Sequence, residues 1–196
     1  MGAPRIHIVD LDGAATGDVV NLDIIETIAT AVQVPTQLGG GIRSLETITR
    51  VLKMGVERVI LGTIAVENPE LVKEACRLYA ESIIVSIDGR EGQVATRGWV
   101  QGTKYKAVNL AWDMLRLGVR RFIYTEITRD GTLEGPNFNI LTELIEAVKA
   151  PIIAAGGISS VENLKVLKRI GVEGAIIGQA LYTGAIDLKQ ALSVAE

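Results

Sequence analysis

The sequence predicts a parallel α/β barrel, and three observations carry that expectation. Short apolar runs alternate with amphipathic runs seven times along the chain. A glycine-rich turn occurs twice, as PTQLGGGIRSLE from Pro35 and as PIIAAGGISSVE from Pro151. The two turns stand 116 residues apart, and that shift holds without a gap from Asn21 to Gly62. It carries Asn21, Gly40, Gly41, Ile42, Ser44 and Glu46 onto Asn137, Gly156, Gly157, Ile158, Ser160 and Glu162. It then carries Gly55, Val56, Glu57 and Gly62 onto Gly171, Val172, Glu173 and Gly178. A period this long is a duplicated half domain and not a solenoid repeat.

Strand followed by helix, repeated, gives a parallel sheet covered by helices. Four units per half, at about 29 residues each, make eight, the number that closes a barrel. The expected fold is therefore α/β of the (βα)8 TIM-barrel type, one domain over 1–196 with an internal half-barrel duplication. A dinucleotide-binding sheet would want GxGxxG after the first strand, and DLDGAATG does not supply it.

The elements follow in order. The first strand is IHIVD; alternation is taken to place Ile8, Asp10 and Asp12 toward the lumen and His7 toward the helices as a packing residue. LDIIETIATAV has helical spacing. TQL leads into the first glycine turn, then into helix SLETITRVLKMG, opened by Ser44 with Thr47 and closed by Gly55. RVILG is the next strand, and NPELVKEACRLYA the next helix. That helix holds the only cysteine, Cys76, expected to be a small buried thiol. IIVSID ends at Asp88; AVNLAWDMLRLG follows and is closed by Gly118. RFIYTEI carries Thr125 near its end, and the loop after it carries Asp130. NILTELIEAVK, PIIAA, SVENLKVLKRIG, GAIIG and DLKQALSVA complete the pattern. Ser160 with Asn163 opens the helix that Gly171 closes.

Composition narrows the function. Twenty Lys+Arg against 23 Asp+Glu leave a net charge of −3, which argues against nucleic acid or an anionic membrane as partner. One cysteine gives no intrachain disulfide framework, and no apolar run reaches a membrane span, so a cytoplasmic setting is expected. No HExxH, CxxC or His cluster suggests a metal, and no strand lysine suggests a Schiff base.

In a barrel the loops after the strands share one rim, where active sites sit. Glycines let backbone N–H groups close on an anion, and a following helix start favours negative charge. Each glycine turn has a second half one unit on, LGTIA at Gly62 and IGQAL at Gly178. Two phosphate cups on one mouth imply a small-molecule bisphosphate. Replacing Gly41 or Gly157 by a bulky residue is expected to weaken ligand binding more than stability. Between the cups, Asp88, Thr125 and Asp130 are the candidates for carboxylate acid–base chemistry.

The stretches VDLDGA, QLGGGIRS, ILGTIAVENPELV, VSIDGREGQVATRGW, YTEITRDGTLEGPN and IIAAGGISSVENL resemble the HisA family. These are the phosphoribosylformimino-aminoimidazole carboxamide ribotide isomerases of histidine biosynthesis. The resemblance runs over essentially the whole chain. The cyclase subunit of imidazole glycerol phosphate synthase shares the cups but is not expected to read TRGW or TEITRDGTLEGPN. The resemblance implies a cytosolic barrel needing no cofactor and an Amadori rearrangement of an aminoaldose to an aminoketose. It implies Asp130 as acid, with Asp88 and Thr125 beside it. It implies Gly40, Gly41, Arg43, Gly62 and Thr63 at one phosphate, and Gly156, Gly157, Gly178 and Gln179 at the other. Arg97 and Trp99 match a loop that closes on substrate.

The family begins with a strand carrying AIDL and the base, whereas this chain begins at what resembles the second strand. Shifted back by 116, the strand at Ile83 would start at position −33. Seven units are therefore expected, with open edges at RIHIVD and GAIIG. Such edges predict a homodimer, association through the open edges, or a complementing N-terminal fragment, and little isomerase activity alone. A non-catalytic barrel fragment or scaffold is one alternative reading. An isomerase that also acts on phosphoribosylanthranilate is another.

Overall fold

The computed structural model describes residues 2–96 and 101–195. Seven parallel strands form the frame: β1 (Ile6–Val9), β2 (Thr36–Gly39), β3 (Arg58–Leu61), β4 (Ile83–Arg90), β7 (Phe122–Glu126), β8 (Ile152–Ala155) and β9 (Gly174–Ala175). They are hydrogen-bonded in that order, each parallel to the next. Among the described residues β1 pairs only with β2 and β9 only with β8, so the sheet is a curved part-barrel with two open edges. All seven expected strands are present.

Seven helices cover the outside at the expected places: α2 (Leu22–Ala31), α3 (Leu45–Lys53), α5 (Pro69–Tyr79), α6 (Ala107–Arg116), α7 (Phe138–Val148), α8 (Val161–Ile170) and α10 (Leu188–Ala195). The side chain of Ser44 accepts from the Thr47 N–H and that of Ser160 from the Asn163 N–H, as the sequence pattern requires. Gly171 closes α8 in the left-handed conformation. Cys76 lies in α5 among buried apolar side chains, and desolvation pushes its thiol up to about 11.

Side chains on alternate strand positions face two different layers. The outer layer joins Leu38, Val59, Leu61, Val85, Phe122, Tyr124 and Ile152 to Ile48, Val51, Val72, Met114, Leu141 and Leu167 of the helices. The inner layer is small: Ile60, Ile84, Ile123, Ile153 and Ala155, with Ile176 packed on it. Each fully buried Leu or Ile contributes about 2 kcal/mol, so the outer layer dominates stability.

This alternation corrects the reading of the first strand. Gly39 is in register with the inner Ile60, so Gln37, two residues back, faces inward. His7 is the register partner of Gln37, and its Nδ1 lies 2.9 Å from the Gln37 Nε2. His7 thus faces the lumen, while Ile8 packs on the outer layer and Asp10 turns away from the lumen with it. The pattern IHIVD alone cannot choose between faces, because both sides of a barrel strand are apolar.

Several short elements are not legible in the sequence. An antiparallel hairpin, β5 (Gln93–Thr96) with β6 (Gln101–Lys106), extends β4 beyond the sheet. Short helices occur at α1 (Leu11–Thr16), α4 (Ile64–Glu67) and α9 (Gln179–Tyr182). The strand expected over GAIIG is regular for only two residues, though Ile176 still donates to the Ala154 carbonyl at 2.9 Å. A strand paired on one side alone has half the ladder to hold it.

The duplication extends below the barrel. Arg5 and Glu57 form an ion pair at 2.6 Å, and the 116-residue shift turns it into Arg121 and Glu173, also at 2.6 Å.

Candidate functional site

Because β2 and β8 run parallel in one sheet, the loops that leave their C-terminal ends open on the same rim. Gly40 and Gly41 have φ of 102° and 73°; Gly156 and Gly157 have 87° and 77°. All four adopt the left-handed region that favours glycine. Space is as restrictive as the dihedral. A Cβ on Gly41 would lie 2.5 Å from the Asp18 backbone, and one on Gly157 the same distance from the Gly135 carbonyl. A Cβ on Gly40 would strike the Asp10 carbonyl, and one on Gly156 that of Glu126. Each glycine pair is therefore pressed against the loop that leaves the preceding strand of its half.

This overturns one expectation. Gly41 and Gly157 are fixed by positive φ and close backbone contact, so a bulky residue there is expected to damage stability first. The second halves of the cups differ. Gly62 precedes α4 and Gly178 caps α9, and a Cβ on either meets nothing within 4 Å. These two glycines face open space at the rim.

The strand order sets what lies between. From β1 the rim presents Gly40–Gly41, then Gly62, then Asp88 on β4, Thr125 on β7, Gly156–Gly157 and Gly178. Asp88 and Thr125 are register partners, and Thr125 is in turn in register with Ala155 beside the second cup. Ser86 donates to the Asp88 carboxylate at 2.9 Å. Asp130 stands on the loop after β7. Desolvation and then the nearby Asp88 charge raise its pKa, which favours the protonated form an acid needs. The loop also reaches the second cup, since a Cβ on Gly131 would lie 3.2 Å from the Gln179 Oε1. Thr63 stands at the start of α4. Arg43 is exposed, with its guanidinium against Gly17 at the end of α1. Arg97 and Trp99 lie outside the described residues.

Two pairs of side chains matter more than the sequence signals suggest. Asp10 is 3% exposed and accepts from the Gly13 N–H at 2.9 Å, the Val20 N–H at 2.7 Å, the Asn21 N–H at 3.1 Å and the Asn21 amide at 2.8 Å. Burial alone would raise its pKa; these donors outweigh it and hold the carboxyl below its usual range. Glu126, 1% exposed, accepts from Thr128, Tyr124 and the Asn137 amide at 2.9, 3.1 and 3.1 Å. Asp10 and Glu126 are related by the same shift, as are Asn21 and Asn137. A carboxylate matched with a carboxylate at that shift is the signal the sequence offers for them. Among the described residues no group of three or more His, Cys, Asp or Glu is placed to hold a metal. No helix there is long and apolar enough to cross a membrane.

Comparison with known proteins places the chain among named relatives. The family described as histidine biosynthesis protein matches residues 1–187. A protein of Dehalococcoides mccartyi, strain CBDB1, is 59% identical over 191 residues, 97% of this chain and 78% of its own length. It is named 1-(5-phosphoribosyl)-5-((5-phosphoribosylamino)methylideneamino) imidazole-4-carboxamide isomerase. Proteins of the same name from Microcystis aeruginosa and Acetivibrio thermocellus are 53% and 47% identical, over 98% and 100% of this chain and 77% and 83% of their own lengths.

Proposed function

The chain belongs to the histidine biosynthesis protein family, and on that premise we propose how its rim performs the isomerase reaction of its relatives. It is an isomerase of histidine biosynthesis, and its substrate is a small molecule. The reaction is an intramolecular redox change with no external oxidant. Asp130, protonated, gives its proton to the furanose ring oxygen; the ring C–O bond at C1′ breaks and a protonated C1′ imine forms at the ribosylamine nitrogen, which keeps its hydrogen. Loss of the C2′ proton to a base gives the enolamine. Return of a proton to C1′ and loss of the hydroxyl proton at C2′ leave the C2′ ketone. Two protons are added, at the ring oxygen and at C1′, and two are removed, from C2′ and its hydroxyl, so the product is an isomer of the substrate.

Asp88 orients the opened chain at the strand end, with Thr125 beside it. Gly40, Gly41, Arg43, Gly62 and Thr63 hold one phosphate; Gly156, Gly157, Gly178 and Gln179 hold the other. The observation that supports this best is the strand order, which sets Asp88 and the Asp130 loop midway between two glycine cups. The test is incubation of the chain with the aminoaldose bisphosphate, following ketose formation, together with crystals grown in phosphate. Little turnover by the chain alone, turnover once a complementing N-terminal fragment is supplied, and anions at both Gly40–Gly41 and Gly156–Gly157 are expected. Anions bound only elsewhere would remove the two-cup reading.

We place the protein in the cytosol. We also propose that the edges of β1 and β9 take up a second polypeptide, either another copy of the chain or a strand–helix piece supplied in trans. Val9, Leu11, Val20 and Ile24 are exposed at the β1 side, and Tyr182 at the β9 side is 90% exposed. Light scattering should give a mass above the monomer, or a peptide-induced shift; a monomer indifferent to such a peptide rejects this.

A further inference from the structure

We propose that Glu126 is a positioning residue that sets two loops at once, the Asp130 loop and the start of the β5–β6 hairpin, while Asp10 sets only its own loop. This rests on the isomerase reading for its consequence in turnover, but its structural content stands alone.

The four hydrogen bonds of Asp10 all come from residues 13–21, the segment between β1 and α2. Glu126 is one methylene longer, and its donors come from three places. Thr128 and Asn137 bracket the Asp130 loop, with oxygen–donor distances of 2.9 and 3.1 Å. The Tyr124 hydroxyl donates from the strand itself at 3.1 Å. The backbone N–H of Glu91 donates at 3.3 Å from the turn that opens the hairpin. Glu91 has φ of 50°, so this turn sits in a backbone region where a non-glycine residue needs support. The Ile127 N–H donates to the Gly89 carbonyl at 2.9 Å, a second tie between the same two segments.

A carboxylate has two oxygens and about four acceptor sites, which matches the four donors. An amide has one oxygen and presents two N–H groups of its own. Glu126→Gln would therefore set donor against donor at one oxygen position inside a buried site, with the shape unchanged. Both loops should loosen together. The tyrosine ring packs where a Cβ on Gly89 would be, 2.7 Å from its edge, so Tyr124→Phe removes one donor and keeps the packing.

The experiment is hydrogen exchange on the full chain in wild type, Glu126→Gln, Tyr124→Phe and Asp10→Asn. In Glu126→Gln, amides of residues 91–96 and of 128–134 should exchange at least about tenfold faster. Tyr124→Phe should move both segments the same way by less. Asp10→Asn should speed exchange in 11–21 and leave 91–96 and 128–134 as they were. Turnover adds a second readout: Glu126→Gln should lower kcat more than it raises KM, because the acid is displaced while both cups remain. Acceleration of one segment alone in Glu126→Gln overturns the proposal, as does acceleration of both in Asp10→Asn. If Glu126→Gln does not fold, Tyr124→Phe decides by the same criterion. If the wild type shows no isomerase activity even with a complementing N-terminal fragment, the isomerase reading fails and the exchange result still decides the coupling.

Discussion

The two halves of the molecule share a skeleton and differ in chemistry. At the 116-residue shift both keep the glycine pair, the asparagine opposite a buried carboxylate, the serine cap of the next helix and an Arg–Glu ion pair at the base. The proposed reacting groups are not kept. Ala14, within α1, stands where the second half has Asp130, and Val9 stands where it has Thr125. The stretch after the first strand coils into α1; the equivalent stretch after β7 is a run of turns with no helix. On the proposed reading, repeated features hold the barrel and its glycine turns, and unrepeated ones carry the chemistry.

The largest expected effect tests that division directly. With a complementing N-terminal fragment present, Asp130→Asn should reduce turnover about 10²-fold or more with little change in substrate affinity. Asp88→Asn should cost less, since it orients and does not donate the proton. Because the raised pKa of Asp130 keeps it protonated further up the pH range, the rate should fall as pH rises through that pKa. A larger loss from Asp88→Asn would exchange the two roles. Full activity in Asp130→Asn would place the acid outside the second half and break the comparison.

The glycines come next. Gly41→Val or Gly157→Val forces a side chain into backbone 2.5 Å away at positive φ, and should cost about 3 kcal/mol or more of stability. Gly62→Val or Gly178→Val meets open space, so the melting temperature should hold while phosphate binding weakens. If Gly178→Val unfolds the chain and Gly157→Val does not, the division between wall and opening is reversed.

Much of this architecture is legible in the amino-acid sequence. Periodicity locates seven strands and seven helices, because each helix buries one apolar face and each strand is a short run apolar on both. The repeat locates both cups. What stays hidden depends on contacts that no local pattern carries. The inward face of His7 follows from the neighbouring strand's register, and the hairpin from pairing beyond the barrel. Asp10 reads as a lumen carboxylate until its four donors are seen. Glu126 reads as an ordinary strand residue until Glu91, 35 residues away, is found beside it.

A third difference is in the lumen. His7 stands at the position equivalent to Ile123. Desolvation holds its pKa at about 4 against an ordinary value of 6.5, and a neutral ring can accept from the Gln37 amide. The unfolded chain therefore takes up a proton at a higher pH than the folded one. The His7 contribution to stability should be full above about pH 6.5 and fall as pH drops toward 4, by up to about 3 kcal/mol. Denaturant unfolding at pH 7 and pH 4.5 measures it. His7→Gln should remove most of the difference; a difference unchanged in that variant assigns it to the carboxylates.

The smallest effect lies at the base, where the halves agree. The Arg121–Glu173 side chains are 15% and 33% exposed, against 20% and 48% for Arg5–Glu57. Arg121 also meets Glu173 through its Nε with both carboxylate oxygens, at 2.8 and 2.6 Å, whereas Arg5 reaches Glu57 through one nitrogen. Glu57 is shared with Arg58 at 3.6 Å, a cation with no counterpart in the other half, where Gly174 stands. Partly exposed pairs contribute about 1 kcal/mol or less, and screening by salt reduces that further. Glu173→Gln should therefore cost more than Glu57→Gln at low salt, by a few tenths of a kcal/mol, and the gap should narrow in molar salt. If Glu57→Gln costs more, the charge shared with Arg58 outweighs burial and geometry, and the base of the barrel is less symmetric in energy than in sequence.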